Sequence, residues 1–310
     1  MAGSVTEGQP TPKVYRVGFL LGASEESVAS LFGALKEGLR DLGYVEGRNL
    51  VFEAMYAGGK MERLPDLAAE LVRLRVDVIV TGTNFHVAAV RQATATIAVV
   101  MIFVEDPVGS GFIASFSHPG GNVTGLSAEA SSELWGKYLT LLREIVPKLS
   151  RVGVIGQVAS KVGFAELATA SRKLGVALEI ADLRSPDDLI GAFDAVVSKH
   201  VEALLFVVGP LTYLLMQPIA ELAVKHRLPS ITNAIQYTRA GVLMSYGPNL
   251  DDLYREAATY VDRILRGAKA GDLPVEQPSK YDLTINLKTA KAIGVTIPQS
   301  MLLRANDVIQ

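Results

Sequence analysis

Cysteine is absent from all 310 residues, which excludes disulfides, thiolate metal sites and a cysteine nucleophile. The cellular compartment is left open by that absence. No run of apolar residues reaches the length that a membrane-spanning helix needs. An excess of one charge is lacking too. The 30 lysines and arginines against 32 aspartates and glutamates give a net charge of -2, with no basic stripe to hold nucleic acid. The opening "MAGSVTEGQPTPK" has no apolar core of the signal-peptide kind. Two readings fit it: a cytoplasmic protein, or a mature exported chain whose signal was replaced by an initiator methionine. In both, residues 1–13 are expected as a disordered leader.

The templates of catalysis are missing as well. The run "DPVGSGFIASFSHPGGNVTG" (residues 106–125) is dense in glycine, but it carries no lysine for a Walker-type phosphate loop. Gly109-Ser110-Gly111 lacks the third glycine of a dinucleotide fingerprint, and no G-x-S-x-G elbow occurs. The four histidines, His86, His118, His200 and His226, show no H-x-x-x-H spacing, so no metal site is expected. Paired carboxylates at Asp187-Asp188 and Asp251-Asp252 fall at helix starts, where the macrodipole accounts for them. The sequence asks for neither a cofactor nor catalysis.

What is present is a regular alternation. Apolar, β-branched runs such as "VYRVGFLL", "VDVIVTGT" and "IAVVMIFVEDP" are separated by amphipathic segments. Leu31, Leu35 and Leu39 recur at intervals of four, and Leu64, Leu67, Leu71 and Leu74 at three or four, each marking a helix face. After the glycine-rich run the pattern restarts with "SSELWGKYLTLLREIVP", "RVGVIG" and "GFAELATASRKLG". Ser185 and Pro186 read as the N-cap and first position of a further helix. Continuous apolar strands alternating with helices predict parallel sheets covered on both faces. The expected fold is α/β, with two doubly wound parallel-sheet lobes joined by a hinge near residues 122–127. The long helix after Gly247 is expected to return to the first lobe. Lobe 1 is then residues 14–124 plus about 247–275, and lobe 2 is 125–246 plus about 276–310.

Open α/β sheets hold ligands at the carboxyl ends of their strands. The candidate contacts are therefore Ala23 and Ser24, Thr83 and Asn84, and Glu105 and Asp106 in lobe 1, with Gln157, Gly209, Pro210 and Asn233 in lobe 2. Phe85, Phe103, Tyr213, Tyr237 and Tyr246 are available as an apolar wall. Thr83 and Asn84 precede a helix whose backbone N–H groups suit a carboxylate, although Thr83 also suits a plain N-cap. Glu105 is the odd residue, a carboxylate directly after an apolar strand. If the cleft closes over it, a cationic partner is required. Bending is expected at Thr124 and Gly125 and at Ser245 and Gly247.

Several long phrases carry a resemblance: "LRDLGYVEGRNLVFE", "RLPDLAAELVRLRVDVIVTGT", "DPVGSGFIASFSHPGGNVTGLS", "AGVLMSYGPN" and "YDLTINLKTAKAIGVTIPQSMLLRANDVI". From about Val14 to Ile309 the chain resembles the ABC-transporter substrate-binding family, whose characterised members include tryptophan- and other aromatic-amino-acid-binding proteins. The resemblance implies a type I periplasmic-binding-protein fold, an extracytoplasmic location with the signal peptide removed, and a permease as partner. The expected ligand is a small hydrophobic or aromatic amino acid or related carboxylate, bound between the lobes of a monomer by hinge closure. Two positions depart from the family's pattern. Glu105 stands where a small residue is frequent, and "GTNFH" (residues 82–86) where "GTPAA" is frequent. Two alternatives on the same fold are a sensory ligand-binding domain and an enzyme.

Overall fold

The structure is a computed structural model, and it describes residues 13–128, 132–157 and 164–310. The expected leader up to residue 12, and the expected helix starts at Ser131 and Gly163, lie outside those residues.

The first series runs β1 (Tyr15–Leu21), α1 (Ala29–Asp41), β2 (Leu50–Tyr56), α2 (Leu64–Arg73), β3 (Val78–Thr81), α3 (Asn84–Ala93) and β4 (Ala98–Glu105). A further strand, β5 (Val123–Ala128), follows the glycine-rich run. Five parallel strands pair in the order β2-β1-β3-β4-β5. Leu31, Leu35 and Leu39 are buried on α1, as their spacing predicts. Residues 122–127 were expected as the junction between the lobes, but residues 123–128 complete the first sheet. Asparagine, threonine and two nearby glycines disguise that strand, and its pairing with β4 overrides their weak propensity.

The second series is α4 (Ser132–Ile145), β6 (Arg151–Gly156), α5 (Phe164–Leu174), β7 (Ala177–Asp182), α6 (Leu189–Val197) and β8 (Ala203–Phe206). It continues with α7 (Pro210–Leu214), α8 (Met216–Lys225), β9 (Ser230–Thr232), α9 (Ile235–Ala240) and β10 (Met244–Gly247). The chain then crosses to the first lobe as α10 (Leu250–Leu265) and returns through β11 (Asp282–Asn286), α11 (Leu287–Ile293), α12 (Gln299–Leu302) and β12 (Asp307–Ile309). Seven strands result, ordered β12-β11-β10-β9-β8-β6-β7. The sheet is not purely parallel, because β11 re-enters it in the opposite direction and pairs antiparallel with β10. Ahead of α6, Ser185 and Asp188 form a reciprocal capping box with Pro186 at the first helical position.

Helix α10 packs on α1, tied by the Arg255 Nη2–Glu37 Oε2 pair at 2.6 Å and by the Tyr44 hydroxyl donating to Asp262 Oδ1 at 2.9 Å. The segment leaving α10 lies along β5, where Ser127 N–H donates to Glu276 O at 2.8 Å. The chain therefore passes between the sheets three times: after Ala128, after Gly247 and before Asp282. Trp135, the single tryptophan, is buried on α4 with its ring edge-on to Tyr138. The carboxyl ends of both sheets face one another, and their apolar contact is continuous from Leu21 and Ala23 to Leu211 and Tyr213.

Candidate ligand-binding cleft

Between the facing strand ends lie two adjoining compartments. They share the walls Thr83, Phe103, Val208 and Gly209. The first is apolar, enclosed by Leu21, Val28, Leu31 and Ile102 from lobe 1, by Pro210 and Tyr213 from lobe 2, and by Leu250 and Tyr254 of α10. The second is polar at one end, where Asn84, Phe85 and Glu105 face Gln157 across the lobes. The lobes are in contact there: a β-carbon on Gly22 would sit 2.7 Å from Pro210 Cβ.

Phe103 reaches both compartments because β4 is irregular. The pairing register with β5 shifts between Ile102 and Val104, and Phe103 takes φ 61. An aromatic residue in the left-handed region is an outlier, costing on the order of 1–3 kcal/mol. The bulge turns a strand side chain into the cleft. Asn84 serves that strand end as well. Its Nδ2 donates to Glu105 O at 2.7 Å and its Oδ1 accepts from Glu105 N–H at 3.1 Å. Asn84 therefore fixes the backbone that carries Glu105.

Thr83 is the N-cap residue of α3, yet its side chain makes no capping bond. Its Oγ1 lies 3.0 Å from Nδ1 of the buried His86, whose Nε2 accepts from Gly22 N–H at 2.6 Å. A backbone N–H can only donate, so His86 is neutral with its proton on Nδ1. Burial draws its pKa down to about 4, against a smaller upward pull from the backbone at Thr83. The Asn84 and Phe85 N–H groups of the first turn have no acceptor within the helix. Together with the α3 dipole they favour an anion at the cleft. Half-buried Glu105 stands beside them. Burial, and then the Glu166 carboxylate on α5, push it up to about 7, and among the described residues it has no ion-pair partner.

This two-lobed cleft coincides with a family match. The family model described as ABC transporter substrate binding protein matches residues 16–309. The chain belongs to that family. As a member of it, the substrate-binding protein has a curated relative, the tyrosine-binding protein of Clostridioides difficile (strain R20291), 26% identical over 260 residues, covering 83% of this chain and 74% of the relative. A conserved domain protein from Vibrio cholerae superposes with a TM-score of 0.88 at 27% identity, over 96% of this chain and 100% of that one. The ABC domain from Streptococcus pneumonia in complex with L-Trp gives 0.87 at 23% identity, with coverage of 96% and 100%. A ligand-free, open substrate-binding protein from Clostridium difficile gives 0.66 at 23% identity, again with 96% and 100%. The named family and both Clostridium proteins are described as binding proteins.

In this substrate-binding protein Ala23, Thr83, Asn84, Phe85, Phe103, Glu105, Gln157, Gly209 and Pro210 line the two compartments. Other residues expected at the cleft stand outside both. Ser24 pairs with Ser27, its Oγ donating at 3.1 Å. Asp106 is exposed and accepts from Gly109 N–H at 2.9 Å. The Asn233 carbonyl packs against Gly247. Tyr237 is fully buried and donates to Thr212 Oγ1 at 2.9 Å, which braces α7. Tyr246 stacks on Tyr281 at 5.8 Å. Thr124 and Gly125 lie inside β5, and Ser245 and Gly247 inside β10, each just before a crossing between the sheets. Among the described residues no group of acidic or histidine side chains could hold a metal, and no helix is long and apolar enough to cross a membrane. Leu250 and Tyr254 were not expected in the lining, and they come from a helix distant in sequence. His86, which belongs to the "GTNFH" stretch expected at the cleft rim, lines the apolar compartment.

His86 makes the protein acid-sensitive. Its folded pKa is lowered, so below about 6.5 the unfolded chain takes up a proton that the folded one refuses. The stability it provides is complete above that value and falls as pH drops towards 4, by roughly 3 kcal/mol. Glu105 has the opposite slope between 4.5 and 7, so the measurement belongs in a Glu105→Gln background. Urea unfolding from pH 6.5 to 4 is expected to show the loss there. Adding His86→Gln, whose amide oxygen can still accept from Gly22, is expected to remove that part of the slope.

Proposed function

We propose that the cleft binds an α-amino acid with a large apolar side chain, and that the protein presents it to an ABC permease on the extracytoplasmic side. The observation that carries this reading is the junction of the two compartments. One end offers the first-turn N–H groups of α3 beside the carboxylate of Glu105, which has no ion-pair partner among the described residues; the other is apolar. A zwitterionic head matches the first end. Its carboxylate sits at the α3 N-terminus and its ammonium at Glu105, where desolvation makes an ion pair worth more than on the surface. The side chain fills the space around Phe103, Pro210 and Leu250. The names of the relatives, a tyrosine-binding protein and a domain holding L-Trp, support the same class.

The protein acts as a monomer, by binding alone and without turnover. The ligand bridges the lobes and stabilises their closed arrangement by its differential affinity for it. The bending segments follow β5 and β10, beside Thr124, Gly125, Ser245 and Gly247. Calorimetric titration of protein refolded from urea, to strip carried-over ligand, tests the reading. L-tryptophan, L-tyrosine, L-phenylalanine and L-leucine are the candidates, with a hexose and a diamine as controls. At least one amino acid is expected to bind, and at a hundredfold excess over its Kd to add about 2.7 kcal/mol to stability. Binding of the hexose or the diamine with none of the four amino acids would overturn it.

A further inference from the structure

The apolar compartment contains two phenols whose hydroxyls are unused. Tyr213 on α7 and Tyr254 on α10 both line it, and neither lines the polar compartment. Both residues are buried, 5% and 4% exposed. The Tyr213 hydroxyl is buried with no hydrogen-bond partner among the described residues. The Tyr254 hydroxyl makes no hydrogen bond among the described residues. It lies 3.5 Å from where a β-carbon on Gly82 would stand, under the strand ends that form the cleft floor. Asp251, in the first turn of α10 near Tyr213, pairs through Oδ2 with Arg239 at 3.8 Å, and its buried Oδ1 has no hydrogen-bond partner among the described residues.

Three other buried phenols of this protein are satisfied from within, whereas the Tyr56 hydroxyl, at the end of β2 and outside the compartment, is buried without a hydrogen-bond partner among the described residues. Tyr237 donates to Thr212 Oγ1 at 2.9 Å, Tyr260 to Pro274 O at 3.1 Å and Tyr44 to Asp262 Oδ1 at 2.9 Å. A buried tyrosine hydroxyl ordinarily finds such a partner, and leaving one unmade is costly. Phenylalanine at positions 213 and 254 would give an apolar wall without that cost. Two tyrosines in one small compartment therefore point to a hydrogen-bonding group that arrives with the ligand. Burial keeps both phenols neutral, with their pKa values pushed up, so each can donate or accept.

Resting on the amino-acid reading above, we infer that Tyr213 and Tyr254 set the specificity of the apolar compartment for a side chain that carries a phenolic hydroxyl at its far end. The ligand then spans the cleft: head group at Glu105 and the α3 N-terminus, ring beside Phe103 and Pro210, hydroxyl between the two tyrosines. A site built around a ligand hydroxyl rejects the analogue that lacks it, because its own polar groups are left unpaired.

Calorimetric titration of the refolded full chain with L-tyrosine and L-phenylalanine tests this, in the wild type and in Tyr213→Phe, Tyr254→Phe and the double variant. The wild type is expected to bind L-tyrosine at least about tenfold more tightly. In the double variant the ratio is expected to fall to about one, with L-phenylalanine binding more tightly than in the wild type. Equal affinities in the wild type, or a preference that survives both substitutions, would overturn the inference and leave the amino-acid reading standing. Failure of every amino acid to bind the wild type would instead remove that reading and this inference together. The thermal midpoint of each unliganded variant separates a merely structural role. A lowered midpoint with equal losses for both ligands would overturn the specificity role.

Discussion

Replacing Glu105 by glutamine is expected to weaken binding of an α-amino acid by about a hundredfold or more, because a desolvated ammonium loses the charge that compensates it. The substitution keeps the shape of the side chain and leaves the backbone held by Asn84, whose hydrogen bonds go to Glu105 N–H and O. A loss of fold is therefore not the expected cause. The control is the des-amino analogue, a carboxylic acid with the same side chain. It makes no use of the charge and is expected to bind the glutamine variant at least as well as the wild type. The pH dependence gives a second signature. The free carboxyl is raised to about 7 by burial and by Glu166, whereas the amine-bound form must be ionised. Binding at pH 6 is then accompanied by proton release, and the affinity rises about tenfold between pH 6 and pH 8. In Glu105→Gln that slope disappears. A glutamine variant with unchanged affinity and an unchanged pH profile would place the amine elsewhere.

Gly125→Ala is expected to cost more than about 4 kcal/mol and to abolish cooperative folding at 37 °C. Gly125 has φ 126, a conformation that only glycine adopts without strain. Its β-carbon would overlap the Met101 carbonyl oxygen and come within 2.8 Å of Met101 N. Both contacts are backbone atoms of β4, the strand that pairs with Gly125, so no rotamer change relieves them. Moving β4 would displace the Phe103 bulge two residues on, and damage to the cleft would accompany damage to the sheet. Gly121→Ala is the matched control, since nothing lies within 4 Å of a β-carbon there. It is expected to stay within about 0.5 kcal/mol of the wild type. A urea midpoint for Gly125→Ala close to that of Gly121→Ala would show that the strand absorbs the substitution.

Much of this protein was legible in its amino-acid order. The apolar runs ending in Leu21, Thr81 and Glu105 are strands because both of their faces are covered, and Leu31, Leu35 and Leu39 form a buried face because helical period puts them on one side. The places of Thr83, Phe103, Glu105 and Gly209 in the cleft lining follow from the rule that open sheets bind at their carboxyl ends, which needs only the strand boundaries. The residues that shape the apolar compartment were less accessible. Nothing local marks Phe103 as a bulge, since its left-handed φ is imposed by the register between β4 and β5. Tyr254 sits in a helix read as packing, and it reaches the cleft because α10 crosses back onto the first lobe.

By itself the sequence determined the element types, the two-lobed α/β plan and the presence of a lone carboxylate at a strand end, because periodicity, capping and burial act over a few residues. Only the tertiary structure decided that β5 belongs to the first sheet, that β11 runs antiparallel, that His86 is locked between Thr83 and Gly22, and that Tyr213 and Tyr254 line one compartment. Those features depend on contacts between segments tens to hundreds of residues apart, and long-range pairing sets their geometry where local preference is silent.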